Sequence, residues 1–457
     1  MMKLAAYPEY KDSGQPFLGE IPAHWNLFRN GRLFSQRNET GFGELPILEV
    51  SLKTGVRVRD MDNLKRKQVM SDREKYKRAT QGDIAYNMMR MWQGAVGVAP
   101  VDGLVSPAYV VVRPFPEVDC NYFSYLFRTA SYMNEVDAYS RGIVKDRNRL
   151  YWQDFKRMPS PVPPVDEQRH IIRFLDAIGG KAQRFIRNKR RLIVLLKEQK
   201  QNVINQAVTR GLDSNVKFKP SGVKWIGDIP EHWEVRRLKF LCHNLNEQTS
   251  EKKPGEAYIA LEHIESWTGR ISLPDGEIIF DSQVKRFRPG DVLFGKLRPY
   301  LAKITRPQFS GVCVGEFLVL RVTGKVSADF LEQKLRSKRL IDLINSSTFG
   351  AKMPRADWTF IGNLKIAYPP EIEQREILKH IQEKTAEIDQ AINRAQREIE
   401  LMREYRTRLI SDVVTGQVDV RGIEVPEVVE EELLAPDEDV AESEDLIVDE
   451  GDMEVEE

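Results

Sequence analysis

Cysteine is nearly missing from this sequence. The three that occur, Cys120, Cys242 and Cys313, are odd in number, far apart and at no zinc-ligand spacing, which excludes a disulfide framework and a structural zinc site. No apolar run is long enough to cross a bilayer, and the opening MMKLAAYPEY has neither the apolar segment nor the cleavage site of an export signal. A chain working in a reducing cytoplasm, with no membrane partner, is expected. Two catalytic signatures are absent as well. Without a GxxxxGK[ST] phosphate loop, ATP hydrolysis by this chain is not expected. The glycine-rich cofactor turn and Asn/Asp-Pro-Pro-aromatic tetrapeptide of an amino-methyltransferase are lacking too, since the Pro-Pro pairs precede Val165 and Glu371. A nuclease constellation can be forced only from Asp275 and the distant Glu332-Gln333-Lys334, a spacing that suits no single active site.

Basic residues are absent from one end. Of the 68 acidic residues, 17 lie in Glu424 to Glu457, which has no Lys or Arg; the remaining 51 face 69 basic residues, so residues 1–423 carry an excess of 18 positive charges behind a net charge of only +1. A basic body suits a phosphate backbone, and a proline-containing acidic run of low hydrophobicity is expected to stay disordered. That tail either aids solubility or competes with nucleic acid for the basic face. At 457 residues, 41% apolar and 30% charged, the chain can bury at least two cores.

What is present is a long duplication. Lys11 to Arg29 reads KDSGQPFLGEIPAHWNLFR, and 208 residues later Lys219 to Arg237 reads KPSGVKWIGDIPEHWEVRR. The same shift places Gly82-Asp83-Ile84 on Gly290-Asp291-Val292, Arg90 on Arg298 and Gly142 on Gly350. After two residues are lost near Leu150, a shift of 206 places Pro163-Pro164 on Pro369-Pro370, Glu167-Gln168-Arg169 on Glu373-Gln374-Arg375, and Val203–Asp213 on Leu409–Asp419. So long a period means two copied domains rather than a solenoid.

Residues 1–160 and 214–368 are expected to be mixed α/β domains. Their strands are predicted at Ile47–Leu52, Asp83–Met88 and Tyr109–Val112, and at Tyr258–Leu261, Asp291–Leu297 and Glu316–Val322, with helices at Asn121–Asp137 and near Ala328–Asn345. Each domain hands over to a long helix, 161–213 and 369–419, and an acidic tail covers 420–457. Acidic residues follow each Pro-Pro pair, where the helix dipole favours them. Ile171, Leu175, Ile178, Ala182, Phe185, Leu192, Leu196 and Val203 form a heptad seam broken by Lys189, and Ile377, Ile381, Ile388, Ala391, Ala395, Met402, Tyr405 and Leu409 form a second. Each seam lacks a partner unless it meets the other. Chain continuity makes the pair antiparallel rods of roughly 65 Å, with the domains at opposite ends and the chain nearly closing on itself. Gly179-Gly180 is expected to mark a bend or a close helix approach.

The IP-x-HW entry, the Gly-Asp-Ile/Val strand ending at an arginine and the PP-x-x-EQR helix opening, each twice and in this order, resemble the specificity subunits of type I restriction-modification enzymes over residues 10 to about 420. The resemblance implies an α+β fold of two pseudo-twofold-related target-recognition domains separated by two antiparallel coiled-coil helices. It also implies a non-catalytic subunit that reads a split, asymmetric double-stranded DNA site, one half per domain, and docks two modification subunits on its helices, with restriction subunits as further partners. No cofactor is expected on this chain; S-adenosylmethionine, ATP and Mg²⁺ would belong to the partners. The other classes kept open are a self-contained DNA-modifying enzyme and a coiled-coil adaptor that binds only proteins.

Arg90 and Arg298 follow the Gly-Asp strands beside Met91-Trp92 and Pro299-Tyr300, with Lys296 close by; an arginine beside an aromatic suits phosphate or guanine-edge contact, or is merely a side chain snorkelling from a strand end. The loop after Gly142 offers Lys145, Arg147 and Arg149, matched after Gly350 by Lys352 and Arg355, as groove or phosphate contacts or as solvated charge. Positions that differ between the halves are expected to choose sequence, and shared ones to carry fold or phosphate contact. Glu167, Gln168, Arg169, Glu373, Gln374 and Arg375 favour capping and dipole complementarity, and the resemblance adds partner binding to their expected roles. His24-Trp25 and His232-Trp233 fit structural anchors better than metal or base-stacking sites, and Cys242-His243 has no further ligands at zinc spacing.

Overall fold

The computed structural model describes residues 5–52, 54–59, 73–142, 148–274, 283–350 and 353–425; Lys145, Arg147, Asp275, Lys352 and the acidic run from 426 onward lie outside them. The chain divides into two compact units, Met1–Lys189 with Arg397–Glu457, and Arg190–Gln396, so each long helix gives one half to each unit.

Each unit opens with the duplicated motif folded as a hairpin. Tyr10–Asp12 pairs with Glu20–Pro22, and Phe218–Pro220 with Asp228–Pro230. Gly14 and Gly19, and Gly222 and Gly227, turn these hairpins at positive φ, which explains glycine at those points of the motif. The next strand closes the neck of the domain. Asn26–Arg29 pairs antiparallel with Pro159–Val162, and Glu234–Arg237 with Lys365–Tyr368, so the chain enters and leaves each domain side by side, one step before each Pro-Pro pair.

The core of each domain is a four-stranded antiparallel sheet around one apolar run. In the first unit Tyr109–Pro114 is flanked by Phe34–Arg37 and Ile84–Asn87, with Val96–Val98 outside; in the second Phe317–Val322 is flanked by Cys242–Leu245 and Val292–Gly295, with Ile304–Thr305 outside. Continuous apolar runs fit strands buried on both faces. The Gly-Asp motif serves this sheet. Asp83 and Asp291 are buried and accept backbone N–H groups from Thr80 and Arg288, while Arg37 and Arg321 from neighbouring strands neutralise them. A second cation also recurs: half-buried Lys77 donates to Pro107 O and Tyr109 O, and buried Lys285 to Phe317 O, all at 2.8 Å. The units differ most beside this layer. The second unit has another four-stranded sheet, in which Ala257–Ile259 runs parallel to Gly311–Val314, whereas among the described residues the first has two two-stranded pairs there, linked by a single parallel bridge between Ile47 and Leu104.

The expected domain helices are each split in two. Cys120–Phe127 and Ala130–Tyr139 replace one helix over Asn121–Asp137, because Thr129 caps the second by accepting from Tyr132 N–H; Ala328–Leu335 and Lys338–Ser346 are divided likewise at Arg336-Ser337.

The long helices run Val165–Arg210 and Glu371–Val414. Their pairing is antiparallel within each unit: in the first Arg406 lies by Gly179 and Glu398 meets Lys189, and in the second Asp389 meets Lys200 while Ile381 and Ile377 share a core with Ile204 and Val208. The apparent break at Lys189 is thus an ion pair. The seam differs in part from the expected heptads. Leu192 and Tyr405 are exposed, while Ile186, Ile204, Ile392 and Ile399 are buried, because charged Lys189, Lys200 and Arg406 take seam positions and the 3.6-residue turn carries the apolar stripe past a strict repeat. Gly179-Gly180 does not interrupt the first helix. Arg406 passes there, its guanidinium 3.9 Å from where a Gly179 Cβ would stand.

The segment that begins at Ala5 and the segment after the second long helix meet inside the first unit. Ala5 and Asp419 form a β-bridge, and Val413, Val414 and Val420 share one core with Ile21 and Trp25. The last carbonyls of the long helices are capped differently. Tyr122 OH donates to Val414 O at 2.9 Å, whereas Lys334, fully buried against the Trp233 ring, donates to Val208 O. Burial pushes the Lys334 ammonium down to about 7. The unfolded chain, with an ordinary lysine, binds more protons between pH 7 and 10, so the second unit gains stability as pH rises through that window, on the order of 3 kcal/mol by pH 9.5. In Lys334→Met, urea melts at pH 7 and pH 9.5 are expected to lack this gain; an equal gain in the variant would assign it to other groups.

Candidate nucleic-acid interface

Two surfaces singled out separately in the sequence are one surface in the structure. In the first unit, Arg141 and Arg149 form an antiparallel bridge that closes the loop after Gly142, and Leu150 N–H donates to Met88 O at the end of the Gly-Asp strand. The second unit repeats this with a bridge between Phe349 and Arg355 and with Ala356 N–H on Lys296 O. Arg298 N–H adds a bond to Pro354 O. The strand-end arginine and the cationic loop therefore lie side by side in each unit. The loop also locates the length difference between the repeats: seven residues separate the bridge partners in the first unit and five in the second, which accounts for the two-residue change of shift.

The side chains are poised unequally. Arg90 is half-buried, and Arg149 and Arg298 are exposed; none of the three makes a side-chain hydrogen bond or ion pair among the described residues. Arg298 stands at φ +50, a left-handed conformation that costs a non-glycine residue about 1–3 kcal/mol and concentrates at functional sites. Pro299 follows it as the first residue of a short 3-10 turn, and Tyr300 is 44% exposed. Arg355 is partly committed, with both its Nη2 and Nε on the Glu316 carboxylate at 3.1 and 3.3 Å. Lys296 is half-buried. Lys145, Arg147 and Lys352 lie outside the described residues.

Phe349, 80% exposed, and Met353, 55% exposed, stand in the same loop of the second unit and were missed by sequence reasoning. The available signal was an aromatic immediately before the repeated glycine, beside cations. Exposed rings next to guanidinium groups can stack on bases or wedge between them while the cations hold phosphates. The first unit places Arg141, bonded to Asp154, where the second has Phe349. The two patches share a scaffold and differ in the side chains they present.

The helix openings have another use. Glu167 accepts from Trp25 Nε1–H at 3.0 Å and from Tyr7 OH at 2.7 Å through Oε1, and its Oε2 meets His24 Nε2 at 2.7 Å. Glu373 does the same with Trp233 and His232, at 3.1 and 2.6 Å. Gln168 and Gln374, both buried, accept from Asp119 N–H and Ser327 N–H and donate to Pro163 O and Pro369 O. These four side chains lock each domain to its helix, and the His-Trp pairs are the matching anchors. Arg169 and Arg375 are the exposed members of the two triplets; each sits beside an acidic neighbour of its own helix, Asp166 and Glu371.

Among the described residues there is no group of three or more His, Cys, Asp or Glu placed to hold a metal ion, and no helix long and apolar enough to cross a membrane. The three cysteines are buried and free.

No profile of a known protein family matches the chain. It is 24% identical over 249 residues to the Escherichia coli type I restriction enzyme EcoDI specificity subunit, a match that takes in 50% of this chain and 55% of that protein. A putative type I restriction enzyme MjaX specificity subunit of Methanocaldococcus jannaschii is 23% identical over 430 residues, 88% of this chain and 96% of the relative. Among solved structures, a chain from a study of complex assembly and conformational transition of the type I R-M system superimposes with a TM-score of 0.63 at 14% identity, over 86% of this chain and 98% of that one. The curated relatives of this chain are type I specificity subunits, and the last comparison shows a shared fold.

Proposed function

We propose that this relative of the type I specificity subunits is the DNA-reading, non-catalytic subunit of a type I restriction-modification complex in the cytoplasm. The observation that carries the proposal is the duplicated patch: the same bridge and the same strand-to-loop hydrogen bond build it twice, with free arginines at equivalent strand ends and different loop side chains. Two similar but unequal readers on one chain suit a bipartite, asymmetric double-stranded site, one half for each unit. Arg90, Lys145, Arg147 and Arg149 would serve one half, and Lys296, Arg298, Tyr300, Lys352 and Arg355 the other. The paired helices and exposed Arg169 and Arg375 would dock two modification subunits, which bring S-adenosylmethionine, with restriction subunits bringing ATP and Mg²⁺.

The test is binding of the assembled complex to its duplex over a salt series. A phosphate-reading patch gives a steep linear fall of log K with log salt, and Arg298→Ala should flatten the slope by about one if Arg298 holds a phosphate. If it reads a guanine edge instead, affinity should drop by ~1–3 kcal/mol for the cognate sequence and the preference at one base pair should relax. Salt-independent binding would favour the protein-only adaptor. Methyl transfer or cleavage by the purified chain alone would favour the self-contained enzyme.

A further inference from the structure

The two His-Trp-Glu anchors are built alike but filled differently. In the first unit the anchor is covered by the segment that begins at Ala5 and the segment after the second long helix. Tyr7, 4% exposed, lays its ring 5.8 Å from that of Trp25 and 5.6 Å from that of His24, and its hydroxyl donates a hydrogen bond to Glu167. Arg421 sits 4.9 Å over the outer side of the Tyr7 ring, and Val420 O meets His170 Nε2 at 2.8 Å. In the second unit a single continuous linker replaces those two segments. The shift of 208 puts Asn215 where Tyr7 stands, the shift of 206 puts the same Asn215 where Arg421 stands, and one small polar residue cannot fill both places.

A cavity of about 330 Å³ is left there, lined among others by Asp213, His232, Ile372, Glu373 and Glu376, with one cation, Arg210, against the three carboxylates. Its walls are the counterparts of what surrounds Tyr7: His232 stands for His24, Glu373 for Glu167, Asp213 for Asp419 and Glu376 for His170. Glu373 has lost one donor relative to Glu167, and its side chain is 22% exposed against 6%. The volume lies at the low end of ligand pockets, roughly 300–1,000 Å³, which suits a side chain rather than a cofactor.

We propose that this cavity receives a tyrosine side chain from a partner polypeptide, with its hydroxyl donating to Glu373 and an adjacent cation of the partner on the acidic rim formed by Asp213 and Glu376. The first unit is the template for two contacts, a phenol on the carboxylate and a guanidinium over the ring; Trp233 does not line the cavity and feels the occupant through the Glu373 carboxylate to which its indole N–H donates. The occupant is another protein: a second copy's Tyr7 is buried in its own first unit, and docking of a copy through its exposed Tyr151, Tyr300 or Tyr405 would appear as self-association of the chain and overturn this choice. The acidic run at the carboxyl end has no aromatic residue and cannot supply it. The inference concerns one pocket and one side chain, and stands whether or not the patches described above read DNA.

The test uses the full chain with ¹⁵N-labelled tryptophan side chains and, as probe, a heptapeptide of residues 5–11, AAYPEYK, which carries Tyr7 in its native setting. The Trp233 indole N–H is expected to shift saturably at millimolar peptide while that of Trp25 stays in place. A peptide with Phe in place of Tyr7 should bind about fivefold more weakly for want of the hydroxyl donor. Ile372→Arg, on the rim at a position 71% exposed and therefore safe for folding, should weaken binding by a similar factor through steric block. Three results would overturn the proposal: no Trp233 shift up to 10 mM peptide (about the weakest useful affinity), equal binding of the Phe peptide, or a shift of Trp25 in place of Trp233.

Discussion

Replacing Trp25 with alanine is expected to cost the first unit about 3–5 kcal/mol, the range for removing a large buried aromatic. Trp25 is fully buried, packs against Tyr7 and Tyr122, and donates to a carboxylate that is itself buried. Its loss leaves a cavity beside a charge that keeps Tyr7 and His24 as hydrogen-bond partners. The same change at Trp233 should cost less, since Glu373 is partly open to water and can be resolvated through the adjoining cavity. Trp25→Phe, which keeps most of the volume and loses the donor, should fall near 1–2 kcal/mol. Hydrogen exchange read by mass spectrometry gives the check. Peptides around Gln168 and Val413 should lose protection in Trp25→Ala while the second unit keeps its own, and uniform loss across both units would mean that the anchor is not local.

The anchor also shows where the sequence was informative and where it was not. A duplicated Pro-x-His-Trp and a duplicated Glu-Gln-Arg announce two copies of something structural, and the Pro-Pro pairs with acidic first turns marked where both long helices begin, directly after Pro164 and Pro370. Nothing in the spacing said that Trp25 and Glu167, 142 residues apart, touch, because that contact depends on the neck ladder between Asn26–Arg29 and Pro159–Val162. The buried amides of Gln168 and Gln374 were illegible for the same reason: a glutamine in a helix opening looks polar and solvated until the loop whose N–H it receives is known. The strand-end arginines and the loop cations could each be picked out as basic residues near aromatics. That they form one surface follows from the hydrogen bonds at Met88 and Lys296, which are backbone groups and leave no trace in residue identity. The seam failed in its middle because Lys189 read as an interruption of an apolar repeat and Lys200 was not read at all, when each is a seam position answered by an acid on the other helix.

Those two ion pairs also fix the register in which the paired long helices can be lengthened. If the long helices set the separation between the two DNA half-sites, one heptad inserted between Lys189 and Lys200, and a matching heptad between Asp389 and Glu398, lengthens both strands of the pair while keeping both ion pairs. Seven residues at 1.5 Å rise add ~10.5 Å, equivalent to about three base pairs at 3.4 Å each. The half-site sequences should survive unchanged, since neither patch is touched, while the unspecified stretch between them grows by about three base pairs. Genome-wide methylation mapping of cells carrying the lengthened chain with its modification subunits is the measurement, and methylation at the original sites should vanish almost entirely because a half-site displaced by ~10 Å loses its base contacts. Insertion into one helix alone is the control: it shears the seam, parts Lys189 from Glu398 or Lys200 from Asp389, and should abolish methylation at both spacings. Unchanged spacing in the doubly lengthened chain would mean that the helices hold the partners without measuring the DNA.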